Sequence, residues 1–186
     1  MNKTPSSEFY RLFLIERLPE PLTPASSHLQ LFDNYVENTR IRLRKIRDPY
    51  SRSWMWVLQQ RVRPADAEHA VAKLSEIHLN EVEYEIFAPF EGQEIRKNRY
   101  FHEFDQVSFT FDVYLGDLFG LCTARVEFDS LDEVEAFVPP PFAVFDVTAD
   151  GFFYGEHLVN RSFSEVREQV AHIGSIVPST REMPDE

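Results

Sequence analysis

The chain has little of several things. It holds one cysteine, Cys122, so no intramolecular disulfide forms, and the reading is a protein of a reducing cytoplasm. It has no apolar run of membrane-spanning length, and the polar start from Met1 to Ser7 has no secretory core, so neither a membrane nor an export route is expected. Its six glycines form no phosphate-cradling loop; Gly92, Gly116 and Gly120 read as turn residues. Its six histidines do not fall at metal-ligand spacing, and no nucleophile–histidine–acid set assembles from local signatures. Positive charge is scarce as well. With 19 Lys and Arg against 31 Asp and Glu the net charge is −12, which argues against a duplex nucleic-acid partner, because such affinity comes largely from neutralising phosphates.

What positive charge there is lies in one place. Residues 40 to 63 carry Arg40, Arg42, Arg44, Lys45, Arg47, Arg52, Arg61 and Arg63 against one acid, Asp48. Within Thr39–Arg47 arginine alternates with Ile41 and Leu43. On a strand this places Arg40, Arg42 and Arg44 on one face and the aliphatic residues on the other. Neighbouring guanidinium groups repel, so they need carboxylates or an oxygen-rich anion, and a polyphosphate fits their forked donors well. A basic strip in an acidic shell points to an enclosed anion site.

The 186 residues predict one domain spanning 8–174, with a disordered tail over 1–7 and a flexible C-terminal tail over 175–186. Seventeen phenylalanines favour aromatic-rich strands. Strands are expected over 9–18, 39–46, 53–62, 81–87, 95–104, 107–115, 120–128 and 143–148, with 29–36 open between strand and helix. Residues 65–77 read as a helix because Ala67, Ala70, Val71, Leu74 and Ile77 recur at helical spacing. Ser130 with Glu133 and Ser162 with Glu165 read as capping boxes, and Gly174 as the stop of the last helix. About eight strands with few helices give an α+β chain, mainly antiparallel β, closed as a barrel or strongly curved.

In order along the chain, Phe13-Leu14-Ile15, Asp33-Asn34-Tyr35-Val36 followed by Arg40-Ile41-Arg42, Ile95-Arg96-Lys97-Asn98-Arg99-Tyr100, Asp112-Val113-Tyr114-Leu115-Gly116, Val126-Glu127-Phe128 and Asp146-Val147-Thr148 resemble the motifs of the CYTH family, also called triphosphate tunnel metalloenzymes. That family includes class IV adenylyl cyclases, thiamine triphosphatases and inorganic triphosphatases. The resemblance implies an eight-stranded antiparallel tunnel with a few flanking helices. Basic residues (Arg40, Arg42, Arg44, Lys97, Arg99 and, peculiar to this chain, Arg125) would grip a triphosphate, nucleotide or polyphosphate. Glu8 and Glu127, with Asp112 and Asp146 as helpers, would hold Mg2+ or Mn2+, and Glu8 and Glu127 would carry the catalysis.

The chain departs from the family pattern. The opening Glu-x-Glu-x-Lys reads Glu8, Tyr10, Leu12 here; the later Glu-x-Glu reads Arg125-Val126-Glu127; Gln59 stands where lysine is usual; Asp146 replaces Glu. The acidic segment 81–85 also follows the expected helix instead of preceding it. The basic wall is kept and the carboxylate wall is depleted. The expectation is therefore a metal-dependent triphosphatase with weakened catalysis, monomeric or homodimeric. The alternatives are a non-catalytic nucleotide or polyphosphate sensor, a cyclase, and a structural barrel whose arginines only pair with its own acids.

Overall fold

The computed structural model describes residues 6–63, 71–90 and 92–176. Eight strands form the body: β1 (Ser6–Leu14), β2 (Leu29–Tyr35), β3 (Ile41–Arg47), β4 (Trp54–Val62), β5 (Val71–Leu79), β6 (Gln93–Phe104), β7 (Val107–Tyr114) and β8 (Cys122–Phe128). They run in the order β5-β4-β3-β2-β6-β7-β8-β1, every neighbour antiparallel. The sheet then closes. The first half of β1 pairs with β5 (Ser6 opposite Leu74, Phe9 opposite Val71), while its second half pairs with β8 (Phe9 opposite Phe128, Leu14 opposite Thr123). Closure gives each of the eight a partner on both sides over at least part of its length, and the strand period puts alternate side chains into a central cavity. A two-residue strand, β9 (Phe145–Asp146), adds to the end of β1.

Two apolar clusters hold this shape. Phe13, Phe109, Phe111 and Val126 pack outside the barrel wall under Phe137 and Phe142, which follow the short helix α2 (Leu131–Ala136). The rings meet largely edge to face: Phe142 approaches Phe109 and Phe111 at centroid distances of 5.3 and 5.5 Å. The second cluster joins Leu14, Ile95, Tyr114, Val147 and Phe153 to Leu158 of α3 (Gly155–Leu158) and Val166 of α4 (Phe163–Ile176). Ile95, Tyr114 and Phe153 also line the cavity, so this cluster floors it at one end. None of the described helices is long and apolar enough to cross a membrane.

Several elements differ from the sequence expectation. Residues 71–79 form a strand; the part of the expected helix over 65–70 lies outside the described residues. Both edges of β5 are taken, by β4 and β1, and that pairing overrides the spacing of Val71, Leu74 and Ile77. Residues 81–85 are not a strand but a helix, α1 (Glu81–Glu85). Asn80 caps it reciprocally with Glu83, and only Tyr84 of the alternating Val82, Tyr84 and Ile86 is buried. Strand therefore precedes helix, and the expected departure in element order disappears. β1 begins at Ser6, inside the stretch read as a tail. Gly174 does not stop α4, which runs on to Ile176. The open segment 29–36 is strand β2.

Candidate functional site

The cavity inside the barrel has a volume of about 230 Å³. Among the described residues its wall carries seven cations: Arg42 and Arg44 from β3, Arg61 from β4, Arg63 just beyond it, Lys97 and Arg99 from β6, and Arg125 from β8. Four carboxylates share that wall: Glu8, Glu76, Asp112 and Glu127. Asp33 lies beneath the surface and Glu156 at the rim pairs with Arg63, so the wall keeps a net positive charge inside a chain of −12.

One half of the wall is organised on two buried aspartates. Asp33, on β2, has no exposed surface and meets three cations. Arg44 forms a fork on it (Nη2 to Oδ2, 2.7 Å), Arg42 Nη1 donates to Oδ2 at 3.4 Å, and Lys97 Nζ is 3.7 Å away. Asp112, on β7, accepts both arms of Arg99 at 2.7 Å, with Lys97 Nζ at 2.8 Å. Burial by itself would raise both carboxyls, but Arg42, Arg44 and Lys97 around Asp33, and Arg99 and Lys97 around Asp112, hold them well below the usual carboxylate range. Lys97 is pushed down to about 8, first by burial and then by Arg99 and Arg44, against the pull of Asp112 and Asp33. Arg42 also donates through Nε to Gln59 at 2.9 Å and through Nη1 to Tyr35 Oη at 3.2 Å. Gln59, at the usual lysine position, joins Arg42 to Glu76.

The other half is built on Arg125. Its guanidinium carbon sits 4.0 Å from the centroid of the Tyr10 ring. Its Nε donates to Glu127 at 2.9 Å, and its Nη2 lies 3.5 Å from Glu8. Glu8 also pairs with Arg61 at 3.0 Å. Burial lowers Arg61 to about 10, and the neighbouring charges of Arg125 and Arg42 add to this. Among the described residues Arg61 Nε and Arg63 Nε are buried with no hydrogen-bond partner, while Glu8 Oε2 and Arg125 Nη2 have ion-pair contacts but no well-formed hydrogen bond. Arg63 stacks over Tyr154 at 3.6 Å.

Of the residues named from sequence, Glu8, Arg42, Arg44, Lys97, Arg99, Asp112, Arg125 and Glu127 line this one cavity. Arg40 precedes β3 and is exposed; it lines a small recess with Tyr35, Arg42, Arg61 and Glu156. Asp146 stands apart. It is opposite Phe13, whose side chain belongs to the outer cluster, and it accepts from Arg11. Asp33 and Tyr35 stand in a quoted motif and Arg61 and Arg63 in the basic strip, but none of them is given a site role from sequence, and Glu76 is not named there. Arg61 and Arg63 continue the alternation begun at Gln59, which is a readable signal. Glu76 was hidden by the helical reading of its segment.

No family model matches the chain. Over 104 residues it is 34% identical to an inorganic triphosphatase of Nitrosomonas europaea, a stretch that spans 50% of this chain and 69% of that protein. The fold matches a crystal structure of the hypothetical protein NE1496 with a TM-score of 0.56 at 25% identity, covering 83% of this chain and 99% of the other. It matches a crystal structure of the inorganic triphosphatase NE1496 with a TM-score of 0.54 at 27% identity, covering 82% and 93%.

Proposed function

The chain belongs to the CYTH family of triphosphate tunnel proteins, and from that premise we propose that its tunnel binds inorganic triphosphate, or the end of a longer polyphosphate, and turns it over weakly. The observation that carries this reading is the convergence of seven cations on one cavity whose own carboxylates do not neutralise them. A linear triphosphate offers several charged oxygens along a rod. Forked guanidinium groups on facing strands match that geometry, and each ionic hydrogen bond is stronger than a neutral one. Arg42, Arg44, Lys97 and Arg99 are already oriented by Asp33 and Asp112, so little side-chain ordering remains to be done on binding.

The family's divalent metal does not fit the donors present. Among the described residues no group of three Asp, Glu, His or Cys converges on a point. Glu8 is engaged by Arg61 and Arg125, Glu127 by Arg125, Asp112 by Lys97 and Arg99, and Asp146 is outside. Magnesium or manganese could take Glu8 or Asp112 only by displacing a bonded cation, and Glu127, exposed with one oxygen on Arg125, offers a single ligand. What the residues present offer is charge neutralisation on the phosphate oxygens. On β8 the position two residues before Glu127 holds Arg125 in place of a second carboxylate, and the nearby Glu8 is tied to Arg61 and Arg125, which leaves little to assist attack on phosphorus.

Phosphate release from tripolyphosphate, ATP and thiamine triphosphate, each with magnesium and with manganese, tests this reading. The expected rate with tripolyphosphate lies about two orders of magnitude below that of the Nitrosomonas enzyme under the same conditions, the cost typical of losing one electrostatic stabiliser. An equal rate would overturn the weakened-catalysis part. A complete absence of turnover with retained binding would move the assignment to a sensor, which Arg125 beside Glu127 also favours.

A further inference from the structure

We propose that Arg125, backed by Arg61 and Arg63, stands in for a divalent cation at the β1–β8 corner of the tunnel, so that this chain captures inorganic triphosphate without a metal. The inference rests on the reading that the tunnel holds triphosphate, and adds how the anion is held there. Arg125 occupies the place a shared ion would take, between two carboxylates: Glu127 accepts from its Nε at 2.9 Å and Glu8 lies 3.5 Å from its Nη2. Register puts Tyr10 opposite Glu127 and Leu12 opposite Arg125, so neither facing residue of β1 supplies another metal ligand. The charge is equivalent. A carboxylate carrying a divalent ion amounts to one positive charge, and an arginine at that position supplies the same.

The corner is also unfinished. Among the described residues Arg61 Nε and Arg63 Nε are buried donors with no hydrogen-bond partner, and Arg125 Nη2 has only its 3.5 Å ion pair with Glu8, whereas buried polar groups of this kind are normally satisfied. Two guanidinium donors without an acceptor and a third held only by a long ion pair, all on residues lining one cavity, call for an acceptor with several oxygens, which is what a terminal phosphoryl group presents. Tyr10, a residue only 3% exposed, holds the Arg125 guanidinium by a cation–π contact. A guanidinium binds a phosphate but does not acidify a water molecule as a metal does, so the substitution keeps capture and gives up activation of the nucleophile.

Titration calorimetry of tripolyphosphate against the full chain, first in EDTA and then in excess magnesium, tests the inference. The wild type is expected to bind in EDTA, and magnesium is expected to leave the affinity unchanged or lower it by sequestering the free anion. Arg125→Gln is expected to lose about 10- to 100-fold in EDTA, the worth of one charged hydrogen bond. Arg125→Glu is expected to lose more. Melting curves without ligand establish that each variant is folded, and the wild-type arm needs no variant. Binding by the wild type only when magnesium is present would overturn the inference and leave the tunnel reading standing. Wild-type affinity in folded Arg125→Gln would also overturn it. No binding in either buffer would overturn the tunnel reading itself.

Discussion

Asp33 carries more of the site than any arginine does. One buried carboxylate orients Arg42 and Arg44 and approaches Lys97, and it has no solvent to fall back on. Asp33→Asn leaves those cations short of a counter-charge, and unfolding in urea should show a loss of about 3–5 kcal/mol, as for other broken buried pairs. The pH dependence has a definite sign. Because its carboxyl is depressed in the fold, Asp33 contributes its stability fully above the ordinary aspartate value of about 4 and loses it as pH falls below that toward the folded value. Lys97 acts at the other end. It is held to about 8, and an anion beside it favours the protonated form. Tripolyphosphate affinity should therefore fall as pH rises through about 8, a trend that Lys97→Arg should flatten; calorimetry at a series of pH values reads both. Arg42, Arg44, Lys97 and Arg99 were legible because alternation with aliphatic residues marks a strand with one charged face. Asp33 was not, since 29–36 has no clear period. The facing of Asp146 could not be read at all, because a two-residue strand has no alternation to read.

At the scale of elements, β3 and β4 were visible as a hairpin, and β6 to β8 as strands separated by turns. β5 and α1 were exchanged. The strand is held by pairing partners far away in sequence, β1 and β4, which no local pattern displays. The helix has only five residues, and its cap at Asn80 outweighs the alternation of Val82, Tyr84 and Ile86. The start of α3 shows how a remote element tunes the wall. A Cβ on Gly155 would fall 1.7 Å from Tyr35 Oη and 2.6 Å from its Cζ. The tyrosine ring would have to move, and Arg42 would lose the hydroxyl to which it donates. Gly155→Ala should weaken tripolyphosphate binding by about tenfold or less, the worth of one hydrogen bond. Gly155→Ala in a Tyr35→Phe background should cost less than in the wild type, because the hydroxyl is no longer there to be displaced. A double-mutant cycle measures this.

The whole molecule is a closed strand barrel with an apolar jacket and a charged bore. The jacket is what permits the bore. A wall this rich in buried charge adds little net stability, so the phenylalanine cluster outside it must hold the strands. Phe111, fully buried under Phe142, is a central member, and Phe111→Ala should lower unfolding stability by about 3–5 kcal/mol in urea titrations. The barrel class was legible from the number of strands and the order of short motifs. Its closure through Ser6–Phe9 against β5 was not, since the start of the chain read as a tail and its partner as a helix. The helical reading of 65–77 also hid the Glu76 side of the bore, whereas Arg61 stands on a strand that was legible.

The central claim is that this bore holds a triphosphate along its cationic wall, and a crystal structure grown with tripolyphosphate tests it most directly. The account predicts phosphate density inside the barrel, within hydrogen-bond distance of Arg42, Lys97 and Arg99 on one side and of Arg61 and Arg125 on the other. An empty bore at saturating tripolyphosphate, with Glu8 and Glu127 still closed on Arg61 and Arg125, would contradict it.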